Sequence, residues 1–197
     1  MNAKAIEITQ ANSVVVVRFV RPELRNPMSG SVLQQLIDLI GSLDTNARAV
    51  IFTGTGNVFA SGADLREIAN VSKGSAGEFA VRGQELMKAI ASFPRETFAA
   101  INGYCFGGAL DLALACKHRI ASPEAQFSHP GVRLGIITGW GGTQRLPRLI
   151  GEAAALEMFL TAGRFRAEDA LRFGLIDEIA ANPLAVSLAK AAGRVTS

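Results

Sequence analysis

Two glycine-rich turns carry the residues whose types and spacing could do chemistry. One runs Phe59-Ala60-Ser61-Gly62-Ala63-Asp64-Leu65, the other Asn102-Gly103-Tyr104-Cys105-Phe106-Gly107-Gly108-Ala109-Leu110-Asp111. Small residues let a ligand approach the main chain, and the first turn of a helix presents unpaired N–H groups. Two such turns meeting in space would offer two donors to one oxygen, the arrangement of an oxyanion hole. The same glycines would also serve close helix packing and nothing else. Asp111 supplies a carboxylate for acid–base work, or only a charge favoured near a helix start. His129 is a second titratable group of the right type, and equally a structural hydrogen-bonding residue in a short strand.

Other chemistries lack their motifs. Gly54-Thr55-Gly56 is followed by Asn57-Val58-Phe59, without the third glycine of a dinucleotide fingerprint. Gly139-Trp140-Gly141-Gly142 lacks the Lys-Ser or Lys-Thr of a phosphate loop. No H-E-x-x-H occurs, and Ser61 is not in a G-x-S-x-G elbow. Cys105 and Cys116 form no C-x-x-C and no metal-ligand spacing, so they read as small buried hydrophobes. Nucleotide hydrolysis, hydride transfer and zinc chemistry therefore have no support, and no metal or redox cofactor is expected.

These turns need a framework to hold them. The 197 residues are 49% apolar and 19% charged, with net charge +3. That composition excludes a disordered chain and gives no electrostatic footprint for nucleic acid. A chain this long buries about 70% of the surface its unfolded form exposes, so one domain over residues 1–197 is expected to fold without disulfides. The start has no signal-peptide h-region, and the uncharged stretch 98–110 falls short of the ~20 residues that cross a bilayer. A soluble cytoplasmic protein without a membrane partner is expected.

Residues 6–9 and 14–19 read as strands joined by a turn at Asn12-Ser13, with Val14-Val15-Val16-Val17 the β-branched run of a buried strand. The spacing of Leu33, Leu36, Ile37 and Ile40 predicts an amphipathic helix over 31–43 with Ser29 as N-cap. A strand over 49–53, a short helix after Asp64 and a helix carrying Phe79, Leu86, Ile90 and Phe93 follow. Next come a strand over 98–101, a helix over 108–115, and short strands over 118–121 and 126–128. Helices over 141–149, 152–161 and 167–173, a strand over 176–179 and a helix over 184–192 complete the chain. Repeated β-then-α units predict an α/β fold with helices covering the strands.

Four motifs in order decide between the open readings. F-A-S-G-A-D-L, N-G-Y-C-F-G-G-A-L-D-L-A, Q-F-S-H-P-G-V-R-L-G and G-W-G-G-T-Q-R-L together resemble the crotonase (enoyl-CoA hydratase/isomerase) family. The similarity runs from about Ile6 to Ile179 and ends with A-L-R-F-G-L-I-D-E-I. The resemblance implies an α/β, crotonase-like spiral of β-β-α turns that binds acyl-CoA thioesters, coenzyme A being part of the substrate. It implies that the N–H groups of Ser61 and Gly108 polarise the thioester carbonyl and hold the enolate. It places coenzyme A against the main chain of Ala60, Gly62, Ala63, Asp64 and Leu65, with Arg25 near the phosphates or else a solvated loop charge.

The departures from the family pattern bear on the reaction. Its hydratases use two glutamates; Asp111 stands at one position and Gly131 at the other. Hydration needs one group to activate water and one to manage the proton delivered to carbon, so a single carboxylate suits a double-bond shift better. His129, two residues before Gly131, and Thr138, where proline is common, are further candidates near the site. Restoring a glutamate at Gly131 is expected to raise hydration. Lys117 stands where many members carry an acid, and Trp140 matches an apolar position. The family's further C-terminal helices are largely absent from a sequence ending at Ser197, so a homo-oligomer, a trimer by family habit, is expected to be looser. An enzyme of enoyl-CoA hydratase/isomerase type is therefore the leading expectation. Another crotonase reaction (isomerase, thioester hydrolase or decarboxylase) and a non-catalytic acyl-CoA-binding subunit are the alternatives. An RNA-binding branch exists in the family, but residues 78–93 carry only Arg82 and Lys88 against Glu78 and Glu85, so nucleic acid is not expected.

Overall fold

The chain winds through two sheets at once, giving one strand to each on successive turns. The computed structural model describes residues 4–11, 13–43 and 47–193. β1 (Ile6–Ala11) and β2 (Val14–Phe19) form an antiparallel pair, with Ser13 at φ +65° in the turn; Asn12 lies outside the described residues. β3 (Pro27–Met28) leads into α1 (Gly30–Ser42). The next turn is β4 (Ala49–Thr53), β5 (Val58–Ala60), β6 (Gly62–Ala63), α2 (Leu65–Ile68) and α3 (Ala76–Ala91). Then follow β7 (Glu96–Ile101), β8 (Tyr104–Phe106) and α4 (Gly108–Ala115). β9 (His118–Ala121), β10 (Gln126–Ser128), a 3-10 turn over Pro130–Leu134, α5 (Gly142–Ile150) and α6 (Glu152–Thr161) make another turn. β11 (Phe165–Arg166), α7 (Ala167–Arg172), β12 (Glu178–Ile179) and α8 (Pro183–Ala191) come last. The larger sheet has the order β1-β2-β4-β7-β9-β12, and the smaller β11-β10-β8-β5. Thus β4, β7 and β9 enter one sheet while β5, β8 and β10, each next in the chain, enter the other. That is the expected spiral of β-β-α turns.

The reason lies in the burial of the parallel strands. β4, between β2 and β7, is buried at every residue, and the sequence Ala-Val-Ile-Phe-Thr reads as a continuous apolar run, as parallel strands covered on both faces do. One face packs on α1, α3 and α4 through Leu36, Phe52, Leu86 and Leu110, the other on α8 through Ile51, Phe98 and Ala191. The Ser29 hydroxyl accepts from the Val32 N–H and caps α1 as the sequence predicts. β3, β5, β6, β8 and β11 were not expected: at two or three residues each, none is long enough to show a period of two. The strand expected over 176–179 is reduced to Glu178–Ile179, because Leu175 and Ile176 donate to the Ala170 carbonyl and close α7. Phe93 lies beyond the end of α3 and is buried there.

The helix that matters most is α4. All its residues after Gly108 are buried, so its surroundings are apolar all round. Asp111 is its one charged residue.

Candidate active site

The two glycine-rich turns meet. Gly62 sits at φ +88°, and a Cβ there would lie 2.5 Å from the Gly108 nitrogen and 2.7 Å from the Phe106 carbonyl oxygen. Only a residue without a side chain allows this approach. Gly107, at φ +55°, donates its N–H to the Ser128 carbonyl (2.9 Å) and turns β8 into α4. Gly108 is then the first residue of the helix, where no acceptor lies one turn back, and its N–H has no partner among the described residues. The Trp140 indole fills the space beside Gly108 and Gly83 that a Cβ would need, and the Phe79 ring centroid stands 5.8 Å from it.

The second donor requires a correction. The Ser61 N–H is hydrogen-bonded to the Arg25 carbonyl at 2.9 Å, so it is not free for a ligand. β6 pairs in parallel with β3 in the register Pro27↔Gly62. Pro27 has no N–H, so the pairing there runs through the main chain of Gly62. Ala63, the next residue, lines the same cavity as Gly108, and its N–H is the candidate second donor.

Beneath this cradle lies a buried polar group assembled from three segments. Asp111 is 0% exposed. Its Oδ2 accepts a hydrogen bond from the Thr138 hydroxyl, and its Oδ1 lies 3.6 Å from His129 Nε2. Among the described residues neither Oδ1 nor either His129 nitrogen has a partner within hydrogen-bond geometry, although the N–H groups of Trp140 and Gly142 face the carboxyl. Gly142 packs on this group, and a Cβ there would fall on Oδ1. Burial pushes the Asp111 carboxyl up to about 7, against the pull of the Thr138 hydroxyl, Arg145 and the N–H groups of Trp140 and Gly142. Burial also holds His129 down at about 4. His129 is therefore neutral at pH 7, and its contact with Asp111 is not an ion pair. A carboxyl that titrates near neutrality beside a cavity suits acid–base work.

A cavity of about 290 Å³ joins these parts. Gly108, Ala63, His129, Gly131, Thr138 and Trp140 form its polar end, and Ile68, Phe79, Ile136 and Ile137 its apolar walls. It continues, through Ser61, Ala63, Leu65, Pro130 and Leu134, into an outer cleft that holds Arg25, Arg66 and Arg133. Asp64 is on this cleft, but its carboxylate caps α2 through the Arg66 N–H and pairs with the Arg66 guanidinium at 2.6 Å, which holds its pKa below the usual range. Arg25 and Arg133 form no ion pair among the described residues. Ala60 is buried in β5 and lines neither space. Asp111 is absent from the cavity wall as well; Thr138 and His129 stand between them. At Gly131 a Cβ would lie 2.7 Å from the Ile136 carbonyl oxygen, so the position is closed to a side chain.

Sequence reasoning missed Asn26, Arg66 and Arg133. Buried Asn26 accepts from the Arg21 N–H and donates to the Val58 and Phe59 carbonyls, which pins the 21–27 loop to β5. Its place before Pro27 was the one available signal. The two arginines carry no local signal, because only the fold brings them beside Arg25.

A mixed α/β spiral with a main-chain donor cradle over an apolar cavity defines a class of protein, and comparison with known proteins gives its family. Residues 9–194 match the Enoyl-CoA hydratase/isomerase family, and the chain belongs to it. It is 35% identical to the crotonyl-CoA hydratase of Syntrophomonas wolfei, over 98% of this chain and 75% of that one. It is 39% identical to a probable enoyl-CoA hydratase of Bacillus subtilis, over 89% of this chain and 68% of that one. Among solved structures, Pseudomonas aeruginosa DspI superposes with a TM-score of 0.92 at 36% identity, covering 96% of this chain and 79% of that one. The enoyl-CoA hydratase of Bacillus anthracis gives 0.89 at 34% identity, over 97% and 78%. No helix among the described residues is long and apolar enough to cross a membrane.

Proposed function

We propose that this protein is an acyl-CoA enzyme that works through a thioester enolate, and that it shifts double bonds or exchanges α-protons better than it adds water. The observation that carries the reading is the unpaired Gly108 N–H, packed on Gly62 in the wall of an apolar cavity that opens into an arginine-bearing cleft. The thioester oxygen sits at the Gly108 and Ala63 N–H groups. The acyl chain runs toward Phe79, Ile136 and Ile137, and the coenzyme A phosphates meet Arg25 and Arg133. Donors fixed before the reaction stabilise the enolate without reorganising, and losing one typically costs ~10²–10³ in rate.

Asp111, bonded to Thr138 of the cavity wall, is the carboxyl nearest the polar end, and Gly131 offers none. One acid–base group can take a proton from one carbon and return it to another, whereas water addition needs two groups acting together. The relatives named as hydratases support the substrate class, a coenzyme A thioester of an enoic acid. The exposed apolar residues Leu156 and Leu160, one turn apart on α6, support self-association as a further part of this reading.

A paired assay tests the proposal. The wild-type protein is expected to isomerise a 3-enoyl-CoA faster than it hydrates crotonyl-CoA, and Asp111→Asn is expected to remove isomerisation by 10²–10⁴-fold. Wild-type hydration at ~10–10³ s⁻¹, the rate of a competent enzyme, would overturn the preference. Binding without either reaction would leave a non-catalytic acyl-CoA subunit. Sedimentation as a monomer at all concentrations would remove the self-association.

A further inference from the structure

Asp111 has no route of its own to the ligand. It is wholly buried and absent from the cavity wall, and the Thr138 hydroxyl holds its Oδ2. Two side chains stand between it and the cavity. His129 approaches Oδ1 at 3.6 Å, beyond hydrogen-bond length, and its two nitrogens are unpaired. Thr138, half-buried on the cavity wall, is hydrogen-bonded to Oδ2. A hydroxyl donates one proton and accepts another, so it can pass a proton without changing its own charge. An imidazole that makes no hydrogen bond to the carboxyl has no such path.

We propose that Thr138 is the catalytic residue of this site and that Asp111 exchanges protons with the ligand through its hydroxyl. The inference rests on the acyl-CoA reading above. In the first step the Cα–H bond of a 3-enoyl thioester breaks and its proton forms an O–H bond on Thr138 Oγ1. The hydroxyl's own proton passes to Asp111 Oδ2, and the C–H electron pair moves to the thioester oxygen at the Gly108 N–H. In the second step the proton on Asp111 returns to Thr138 Oγ1, which gives a proton to Cγ. The enolate pair re-forms the carbonyl, and the double bond settles between Cα and Cβ. Both side chains end as they began, and Asp111 is a positioning and proton-holding residue rather than one that touches the substrate.

The test uses Thr138→Val, which keeps the shape and removes the hydroxyl, and Thr138→Ser, which keeps the hydroxyl. Exchange of the α-protons of butyryl-CoA for deuterium reads the first step, and the fluorescence of Trp140, the one tryptophan of the chain, reads binding on the same cavity wall. Thr138→Val is expected to slow exchange 10²–10⁴-fold with affinity changed less than about twofold and circular dichroism unchanged, and Thr138→Ser to recover exchange to within about tenfold of wild type. Adding Asp111→Asn to Thr138→Val is expected to cost nothing more, because both remove one relay. Exchange at the wild-type rate in Thr138→Val would overturn the relay. So would a Thr138→Ser variant as slow as Thr138→Val, which would mark a structural role. If wild type quenches Trp140 with butyryl-CoA yet exchanges no proton, the enolate reading fails and the relay with it. If only the variants behave otherwise than stated, the enolate reading stands.

Discussion

Two buried charges lie near opposite ends of α4, and they are treated in opposite ways. Arg119, on β9, is 7% exposed and fully engaged. Its Nε donates to the Leu175 carbonyl at 2.9 Å, its Nη1 to the Cys116 carbonyl just past the end of α4 at 2.6 Å, and its Nη2 lies 3.4 Å from Asp177 Oδ1. A cation at a helix C-terminus is stabilised there, and this one ties α4, β9 and the segment after α7 together. Asp111, in the first turn of the same helix, sits where an anion is favoured, yet one of its oxygens has no partner. Among the described residues the one other unpartnered buried side-chain atom is Ser122 Oγ, so one carboxylate oxygen and two imidazole nitrogens left without partners form the single cluster of this kind, as suits groups that meet a ligand or a proton. A satisfied buried charge fixes architecture, and an unsatisfied one holds reactivity at a cost in stability.

Substituting each charge breaks the comparison most directly. Arg119→Ala leaves two carbonyls without donors and is expected to destabilise by about 3 kcal/mol or more. Urea unfolding checks this, and butyryl-CoA affinity in the protein that remains folded should be unchanged. Asp111→Asn should do the reverse at pH 8. It removes a carboxyl that the fold must ionise in an apolar setting, so stability is expected to rise by about 1–3 kcal/mol while isomerisation falls. A destabilised Asp111→Asn would mean that the carboxylate is a structural clamp like Arg119.

Acid titration sharpens the same contrast within the Asp111–His129 pair. Asp111, raised to about 7, keeps its proton in the fold at pH values where the unfolded chain has lost it, so its contribution makes stability fall as pH rises from about 4 to 7. His129, lowered to about 4, stays neutral in the fold where the unfolded chain is protonated. Its contribution is complete above pH 6.5 and is lost as pH falls toward 4. Between pH 4 and 6.5 the slopes oppose each other, each at most about 1.4 kcal/mol per pH unit. Wild-type urea midpoints should thus be nearly flat across this window. Asp111→Asn should become more stable with rising pH, and His129→Asn less stable. Variants sloping in the same direction would show that the two groups do not titrate as separate buried sites.

The same division governs what could be read from the residues alone. The cradle is made of main chain, and its requirements are local: a Gly at φ +88°, a Gly at a helix start, an apolar helix behind them. Those leave a mark in sequence, and Gly62, Gly108 and Asp111 were legible for that reason. The identity of the donor was not. Whether Ser61 or Ala63 offers its N–H depends on which of them faces Arg25 across a two-residue pairing with β3, and strands that short leave no periodic trace. The partners of Asp111 were named singly, but their contact was invisible. His129 and Thr138 lie 18 and 27 positions away along the chain and meet it only through the packing of α5 on α4. Arg66 and Arg133 of the cleft were hidden in the same way, whereas Arg25 was named from its place before Asn26-Pro27.

The smallest effect is expected where the sequence suggested a large one. The sequence resemblance matched Gly131 to the position of the hydratases' second glutamate, so Gly131→Glu was expected to raise hydration. The structure argues against it. A Cβ at Gly131 would press to 2.7 Å on the Ile136 carbonyl oxygen, and the Ile136 N–H is itself hydrogen-bonded to the Gly131 carbonyl at 3.1 Å. Backbone cannot yield there as a flexible side chain would, so a longer residue must displace the loop that carries Ile136 and Ile137, part of the apolar wall. Overpacking of this kind costs about 1–3 kcal/mol, and a carboxylate displaced by ~1 Å can forfeit about 10²-fold in rate. Hydration of crotonyl-CoA by Gly131→Glu should accordingly stay within about tenfold of wild type, with a lowered urea midpoint. A rise of 10²-fold or more would show that the loop opens on demand. The absent glutamate, rather than the closed wall, would then be what limits water addition.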